Sequence, residues 1–334
     1  MKLGYKASAE QFGPVELLKF ASHAERIGLE IVAISDHFQP WRHHGGHGPN
    51  ALAWLGAASV GTERAVLGTS VLTPTLRYHP SMIAQAFATL GCLAPGRVVL
   101  GVGSGESLNE VPLGIPWPDG KERFARLKEA VTLIQRLWTE DRVTFEGTYY
   151  RTEHATVYDK PERPVPIYIG ASGPSATRLA GRIADGFITT SGKGHDLYTG
   201  TLLPAVREGA EKAGRSIGDL DLMIEVKVSF DRDLARARDD TRYWGALALS
   251  PEEKTGVEDP IEMQRRADAL PVERTATRWI VSSDPEEHVA KVVEYLDMGF
   301  KHLVFHAPGP DQDRFLRVYG EEILPRLRDR AKNA

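Results

Sequence analysis

The feature that most constrains the fold is a rhythm. Eight short, apolar, β-branched runs recur along the 334 residues, at Leu3–Ala7, Ile31–Ser35, Ala65–Val71, Arg97–Gly103, Pro166–Ala171, Gly186–Thr190, Leu222–Ser229 and His302–His306. Helical patterns lie between most of them. In Pro14–Ile27, Val15, Leu17, Leu18, Phe20, Ala21 and Ala24 recur at helical spacing, Pro14 opens the first turn and Gly28 is the stop. Pro80–Leu93, Glu122–Trp138, Ser175–Ile183, Leu197–Ala213, Pro285–Met298 and Asp313–Arg328 behave similarly. Strand then helix, repeated eight times, predicts an α/β chain folded as a (β/α)8 TIM barrel. A doubly wound open sheet is the competitor, because alternation alone does not prove closure.

Two stretches break the rhythm. Residues 143–158 alternate and carry Phe145-Glu-Gly-Thr-Tyr-Tyr150, which predicts a hairpin inserted before the fifth barrel strand. Residues 231–274 form a long, polar, mostly helical insertion after the seventh strand. Insertions after strands lie on the catalytic face of a barrel, so this one is expected to cover a ligand. With no linker, repeat or low-complexity tract, the expectation is a single domain over residues 1–334.

Composition narrows the class. A hydrophobic content of 42% supports a large core, and a net charge of −4 argues against a nucleic-acid surface. The single cysteine, Cys92, leaves no internal disulfide and fits a reducing compartment. No secretory signal and no run of 18 apolar residues is seen, so a cytoplasmic enzyme with no membrane partner is expected.

The chemistry gathers at strand ends. The second run finishes abruptly on Asp36 and His37, with Trp41 four residues on, which delivers titratable groups to the rim where α/β folds bind ligands. The third ends Gly68-Thr-Ser-Val-Leu-Thr-Pro74, small residues that let a flat ligand approach the backbone. The fourth ends Gly101-Val-Gly-Ser-Gly-Glu-Ser-Leu-Asn109. A proline-rich loop, Val111–Pro118, follows where a phosphate-binding helix should start, so a dinucleotide loop is rejected. What remains is a glycine-lined wall carrying Glu106 and Asn109, although Glu106 could equally be a solvated loop carboxylate. The fifth ends Gly170-Ala-Ser-Gly-Pro-Ser-Ala176 and opens a helix, a phosphate site unless Ser172 or Ser175 simply caps it. The sixth ends Thr189-Thr-Ser-Gly-Lys193, whose lysine is a good anion ligand. His43, His44 and His47 share a glycine-rich loop with no helical face and no adjacent carboxylate, so no metal is expected there.

Ser35-Asp-His-Phe-Gln-Pro-Trp41, Gly68–Pro74, Gly101-Val-Gly-Ser-Gly-Glu106, Thr190-Ser-Gly-Lys193 and Arg278-Trp-Ile-Val281 together resemble the F420-dependent glucose-6-phosphate dehydrogenases, a branch of the bacterial-luciferase-like barrels. The resemblance runs from Lys2 to about Arg328. It implies coenzyme F420, an 8-hydroxy-5-deazaflavin, held by Asp36, Val71, Thr73, Ser104, Gly105, Asn109, Ser172, Gly173, Ser175 and Ala176. His37, Trp41 and Glu106 fall at the reacting centre, and Thr190, Lys193, Lys254 and Arg278 at a sugar-phosphate pocket. It also implies a cis peptide at Ser70–Val71 and a homodimer. One departure is Ser172, at a position where the family carries glycine.

The chemistry agrees with those assignments. Oxidising C1 of an aldose phosphate removes a hydride and a proton, so two titratable groups are needed on opposite sides of the transfer. Glu106 as base and His37 as acid requires no large pKa shift; the reverse requires a raised Glu106. Trp41 can aim its indole N–H at developing charge. Three cations suit one phosphate dianion. The competing readings are an FMN-dependent luciferase-like monooxygenase, an F420-dependent dehydrogenase for an alcohol or another sugar 6-phosphate, and a non-catalytic binding protein.

Overall fold

In the computed structural model, which describes residues 1–332, each of the eight runs is a strand. Eleven strands occur in the described residues: β1 (Lys2–Ala7), β2 (Ile31–Ile34), β3 (Val66–Thr69), β4 (Val98–Val102), β5 (Val143–Glu146), β6 (Arg151–Ala155), β7 (Ile167–Gly170), β8 (Gly186–Thr190), β9 (Asp221–Phe230), β10 (Ile280–Ser282) and β11 (His302–His306). Parallel pairing runs β1–β2–β3–β4–β7–β8–β9–β11 and returns to β1, where Tyr5 pairs with Phe305. The sheet therefore closes, and the open-sheet alternative falls. β5 and β6 form the inserted antiparallel hairpin. β10, which the sequence reading lacked, is a three-residue strand added to the end of β9.

Period-two alternation divides each strand between two apolar environments. Leu3 and Tyr5 of β1, Leu222, Ile224 and Val226 of β9, and Leu303 and Phe305 of β11 face the surrounding helices. The intervening positions fill the barrel, where Ile31, Ala33, Tyr168, Ile188, Met223 and Val304 pack together. Gly4 sits at a tight point, since a Cβ there would lie 2.7 Å from Ile31 Cβ. Above this plug the inward positions become Lys6, Glu225, Lys227 and His306, all buried. A polar floor thus lies directly under the C-terminal mouth.

Helices Pro14–Arg26, Pro80–Leu93, Gly120–Thr139, Pro174–Ile183, Leu203–Lys212 and Pro285–Asp297 stand where periodicity expected them. Ala51–Gly61 is a further helix, capped by Asn50 through Ala53 N. The insertion at 231–274 is helical and has its own small core of Ala246, Leu249, Val257, Met263 and Ala267, against which Trp41 packs. It grips the loop after β2: Arg42 pairs with Asp268 at 2.6 Å, and Tyr243 OH donates to the carbonyls of Gly45 and Glu10. Among the described residues no helix is long and apolar enough to cross a membrane.

Candidate active site

The C-terminal ends of the barrel strands open into a cleft of about 590 Å³. Every candidate residue named from the sequence lines it except Ser175. Ser175 stands exposed on the first turn of helix Pro174–Ile183, at the edge of the cleft, with its backbone N–H among the uncapped helix-end donors. The insertion contributes Trp244, Leu247 and Lys254 to the cleft, as its position after a barrel strand led one to expect.

His37 is held between two carboxylates. Its Nδ1 lies 3.5 Å from Glu10 Oε1 and its Nε2 lies 3.6 Å from Glu106 Oε2. Glu10 is buried and receives a 2.8 Å hydrogen bond from Ser35 Oγ. Burial pushes its carboxyl up, but His37, Lys6 and Ser35 outweigh that and hold it below the usual range. With Glu10 behind Nδ1, Nε2 is the nitrogen that faces Glu106 and the cleft. Glu106 is half-exposed. The two titratable groups are thus immediate neighbours rather than set on opposite sides as expected, because the loop after β4 folds back over the end of β2.

Asp36 and Asn109 line the cleft, but their side chains hold its frame. Asp36 Oδ2 pairs with Arg77 at 2.5 Å, and Oδ1 accepts from Ala51 N at 3.2 Å. Arg77 also pairs with buried Glu110 at 2.5 Å. Asn109 Oδ1 accepts from the backbone N–H of Phe38 and Gln39, which fixes the turn carrying His37.

The opposite wall is flat. The Ser70–Val71 peptide is cis, as the resemblance implies. Val71 lies against two glycines; a Cβ on Gly103 or Gly170 would come within 2.8 or 2.9 Å of its methyl groups. Beyond it, helix Pro174–Ile183 begins at Gly173 with no side-chain cap and open space where a Cβ would stand, so its first N–H groups are free for an anion.

Lys193, Lys254 and Arg278 converge on one side of the mouth. Burial lowers all three, and Lys193 is lowered further by Arg278 and Lys254. Lys254 Nζ lies 5.3 Å from the Trp41 ring centroid, and the His37 and Trp41 rings are 5.8 Å apart. Trp41 therefore joins the cationic side of the cleft to the His37–Glu106 pair. The cleft lining carries five cations, Lys6, Lys193, Lys227, Lys254 and Arg278, and four carboxylates, Glu10, Asp36, Glu106 and Glu225; Lys6 and Lys227 face Glu225, whereas Lys193, Lys254 and Arg278 form no salt bridge among the described residues.

The sequence reading missed Lys6, Glu10, Glu225, Lys227, Trp244 and His306, all of which line the cleft. A signal was present for three of them. Lys6, Glu225 and Lys227 interrupt otherwise apolar strands at inward positions.

A family model described as luciferase-like monooxygenase matches residues 1–302. An F420-dependent glucose-6-phosphate dehydrogenase of Nakamurella multipartita is 70% identical over 98% of this chain and 97% of its own length. One from Beutenbergia cavernae is 68% identical over 99% of both chains. The chain belongs to the F420-dependent glucose-6-phosphate dehydrogenase family of luciferase-like barrels. Among solved structures, an F420-dependent secondary alcohol dehydrogenase in complex with an F420-acetone adduct superposes with a TM-score of 0.92, at 33% identity over 98% of this chain and 99% of the other. The family's barrel is therefore shared with an alcohol dehydrogenase, so the substrate has to be argued from the cleft itself.

Proposed function

We propose that the chain oxidises glucose 6-phosphate at C1 to 6-phosphogluconolactone, with coenzyme F420 as hydride acceptor. The observation that carries this reading is the cation cluster. Among the described residues Lys193, Lys254 and Arg278 crowd together with no salt-bridge partner beside the His37–Glu106 pair, close enough for Arg278 and Lys254 to depress Lys193, and a phosphate dianion is the ligand that would relieve this crowding. An alcohol substrate, or an FMN monooxygenase reaction, has no use for that cluster. The near-full-length identity to enzymes named for this reaction supports the same reading.

The residues present fit a deazaflavin. Val71, backed by Gly103 and Gly170, offers a smooth face for a planar ring, and the uncapped start of helix Pro174–Ile183 offers N–H donors for an anionic tail. Thr73, Ser104, Gly105, Ser172, Gly173 and Ala176 complete that wall, and the Ser175 N–H joins the helix-end donors. When bound, the coenzyme supplies the ring that accepts the hydride from C1. The chain's own residues do the rest. Thr190, Lys193, Lys254 and Arg278 hold the phosphate and so fix the distance from C6 to the reacting carbon. Glu106 takes the proton of the C1 hydroxyl through its carboxylate. His37 is the second proton carrier, acting at Nε2 and steadied at Nδ1 by Glu10. Trp41 lies between His37 and Lys254, and so between the proton carriers and the phosphate-binding cations.

The reading includes a homodimer. Helix Ala51–Gly61 is apolar all round, yet Ala53, Ala57 and Val60 are exposed, with Val15 and Met82 exposed on the helices beside it. A lone cysteine suits a reducing compartment, so the reading assigns the enzyme to the cytoplasm. The test is turnover of purified protein with coenzyme F420 and glucose 6-phosphate, followed by loss of deazaflavin absorbance. Other sugar 6-phosphates, free glucose, simple alcohols, and FMN with oxygen are the comparators. Turnover with alcohols equal to that with glucose 6-phosphate would overturn the substrate.

A further inference from the structure

The polar floor of the cleft contains two groups with unused hydrogen-bonding capacity. Lys227 and His306 are paired across β9 and β11, and both point into the barrel. They share Glu225 Oε1, with His306 Nδ1 at 3.2 Å and Lys227 Nζ at 3.8 Å. Lys6 takes the other carboxylate oxygen at 3.0 Å. Burial pushes Glu225 up, but these cations and the His306 bond outweigh it and keep it ionised.

An ionised carboxylate can only accept, so His306 Nδ1 carries the proton. Burial holds the imidazole in its neutral form despite Glu225, which leaves Nε2 with a bare lone pair. That atom is buried and has no partner among the described residues. Trp244 and Trp279 fix the ring, with centroids at 4.5 and 5.0 Å. Lys227 is buried to 4% side-chain exposure, and 3.8 Å to Glu225 is beyond hydrogen-bond reach, so its ammonium has donors to spare. Side by side in the cleft wall therefore stand an acceptor without a donor and a donor without an acceptor.

We propose that Lys227 and His306 form a hydroxyl-binding subsite that takes a secondary hydroxyl of the sugar ring and thereby selects which hexose 6-phosphates are oxidised. The inference deepens the sugar-phosphate reading and rests on it. A hydroxyl both donates and accepts, and so satisfies both groups at once. A phosphate or carbonyl oxygen only accepts. It would leave His306 Nε2 bare, and an anion would also face Glu225. The location agrees: Lys227 is close enough to Lys193 and Arg278 on one side, and to Lys6 on the other, for each to depress its protonation. Lys6 in turn donates to the Ser70 carbonyl beneath Val71. The pair thus lies between the phosphate cations and the flat wall, where the middle of the sugar must pass.

The experiment is a cycle between protein and substrate. Wild type, Lys227→Met and His306→Phe are assayed with F420 on glucose 6-phosphate and its 2-, 3- and 4-deoxy analogues. In the wild type, one deoxy analogue should lose about 10- to 100-fold in kcat/KM beyond the others. Both variants should lose a similar factor on glucose 6-phosphate, yet treat that one analogue as the wild type does, to within about twofold. The inhibition constant of inorganic phosphate should rise far less in either variant than in Lys193→Ala.

Equal losses on every analogue in a variant, or a weakening of phosphate inhibition as large as that in Lys193→Ala, would assign the pair to the fold or to the phosphate and overturn the subsite. Should a variant fail to fold, the wild type alone decides, because uniform rates across the three deoxy analogues also overturn it. Wild type inactive on glucose 6-phosphate would instead refute the sugar-phosphate reading itself.

Discussion

His37 Nδ1 faces Glu10 Oε1 at 3.5 Å, an ion-pair contact without a hydrogen bond, so a buried carboxylate stands behind the ring whose other nitrogen faces Glu106. Glu10 borders the cleft behind His37, and its expected role is to position that ring. Glu10→Gln should lower kcat by about 10- to 100-fold, less than removal of His37 itself, and leave the F420 dissociation constant nearly unchanged. It should also move the pH profile of kcat, which a merely structural role would leave in place. An unchanged profile would remove Glu10 from the mechanism.

The 3.6 Å between His37 Nε2 and Glu106 Oε2 carries a second prediction. His37→Ala and Glu106→Gln should each cost roughly 10²- to 10⁴-fold in kcat. Because the two groups touch, the double variant should cost far less than the product of the single losses. Full additivity would mean that they act on separate protons without coupling.

The same proximity shows what a linear sequence conveys. The barrel was legible because its signal is local: short apolar runs, helical spacing between them, and glycine or proline at the boundaries. Helix Ala51–Gly61 was missed because Ala, Leu, Gly and Val surround it on all sides and leave no polar face to mark a period. β10 is three residues long, too short to alternate. In the cleft, strand-end residues such as His37 and Glu106 could be read from motifs. Glu10 and His306 could not, since a residue's partner across the barrel is set by closure. Glu225 and Lys227 did leave a trace, as charges inside an apolar strand, where burial is costly unless a partner or a ligand compensates.

Behind the cleft, Arg77 neutralises two buried carboxylates, Asp36 and Glu110. Removing one member of such a set leaves uncompensated buried charge. Burial already raises Glu110 even with Arg77 in place. Arg77→Met should therefore destabilise the protein by about 3–5 kcal/mol. Urea denaturation gives the number, and a loss under about 1 kcal/mol would show that the carboxylates find other partners.

Lys193, Lys254 and Arg278 reach the mouth from the sixth barrel strand, the insertion and the segment before β10. Charge-assisted bonds to a dianion contribute roughly 1.5–3 kcal/mol each. Each alanine variant should raise KM for glucose 6-phosphate about 10- to 100-fold, and barely alter the weak turnover of glucose, which brings nothing to the cage. Equal losses for both sugars would mean that these cations support the fold or the coenzyme.

Protonation gives an independent check on the same cage. Lys193 and Lys254 lie below the ordinary lysine value, both through burial first; Arg278 and Lys254 lower Lys193 further, while at Lys254 Glu106 opposes the shift more than Arg278 adds to it. In the free enzyme they begin to lose their protons at a lower pH than a solvated lysine. A bound dianion stabilises the charged forms and raises both pKa values back. The second pKa of a phosphate monoester is about 6, so near pH 9 the ligand is a dianion free or bound and exchanges no proton. Binding glucose 6-phosphate at that pH must then take protons up from solution, and KM must rise with pH before the ordinary lysine value is reached. Calorimetric titration at about pH 9 in buffers of different ionisation enthalpy measures the uptake directly. The apparent heat should vary with the buffer in the sense of net uptake, and Lys193→Ala should reduce it. Proton release, or no buffer dependence at all, would show that the phosphate is bound away from these lysines.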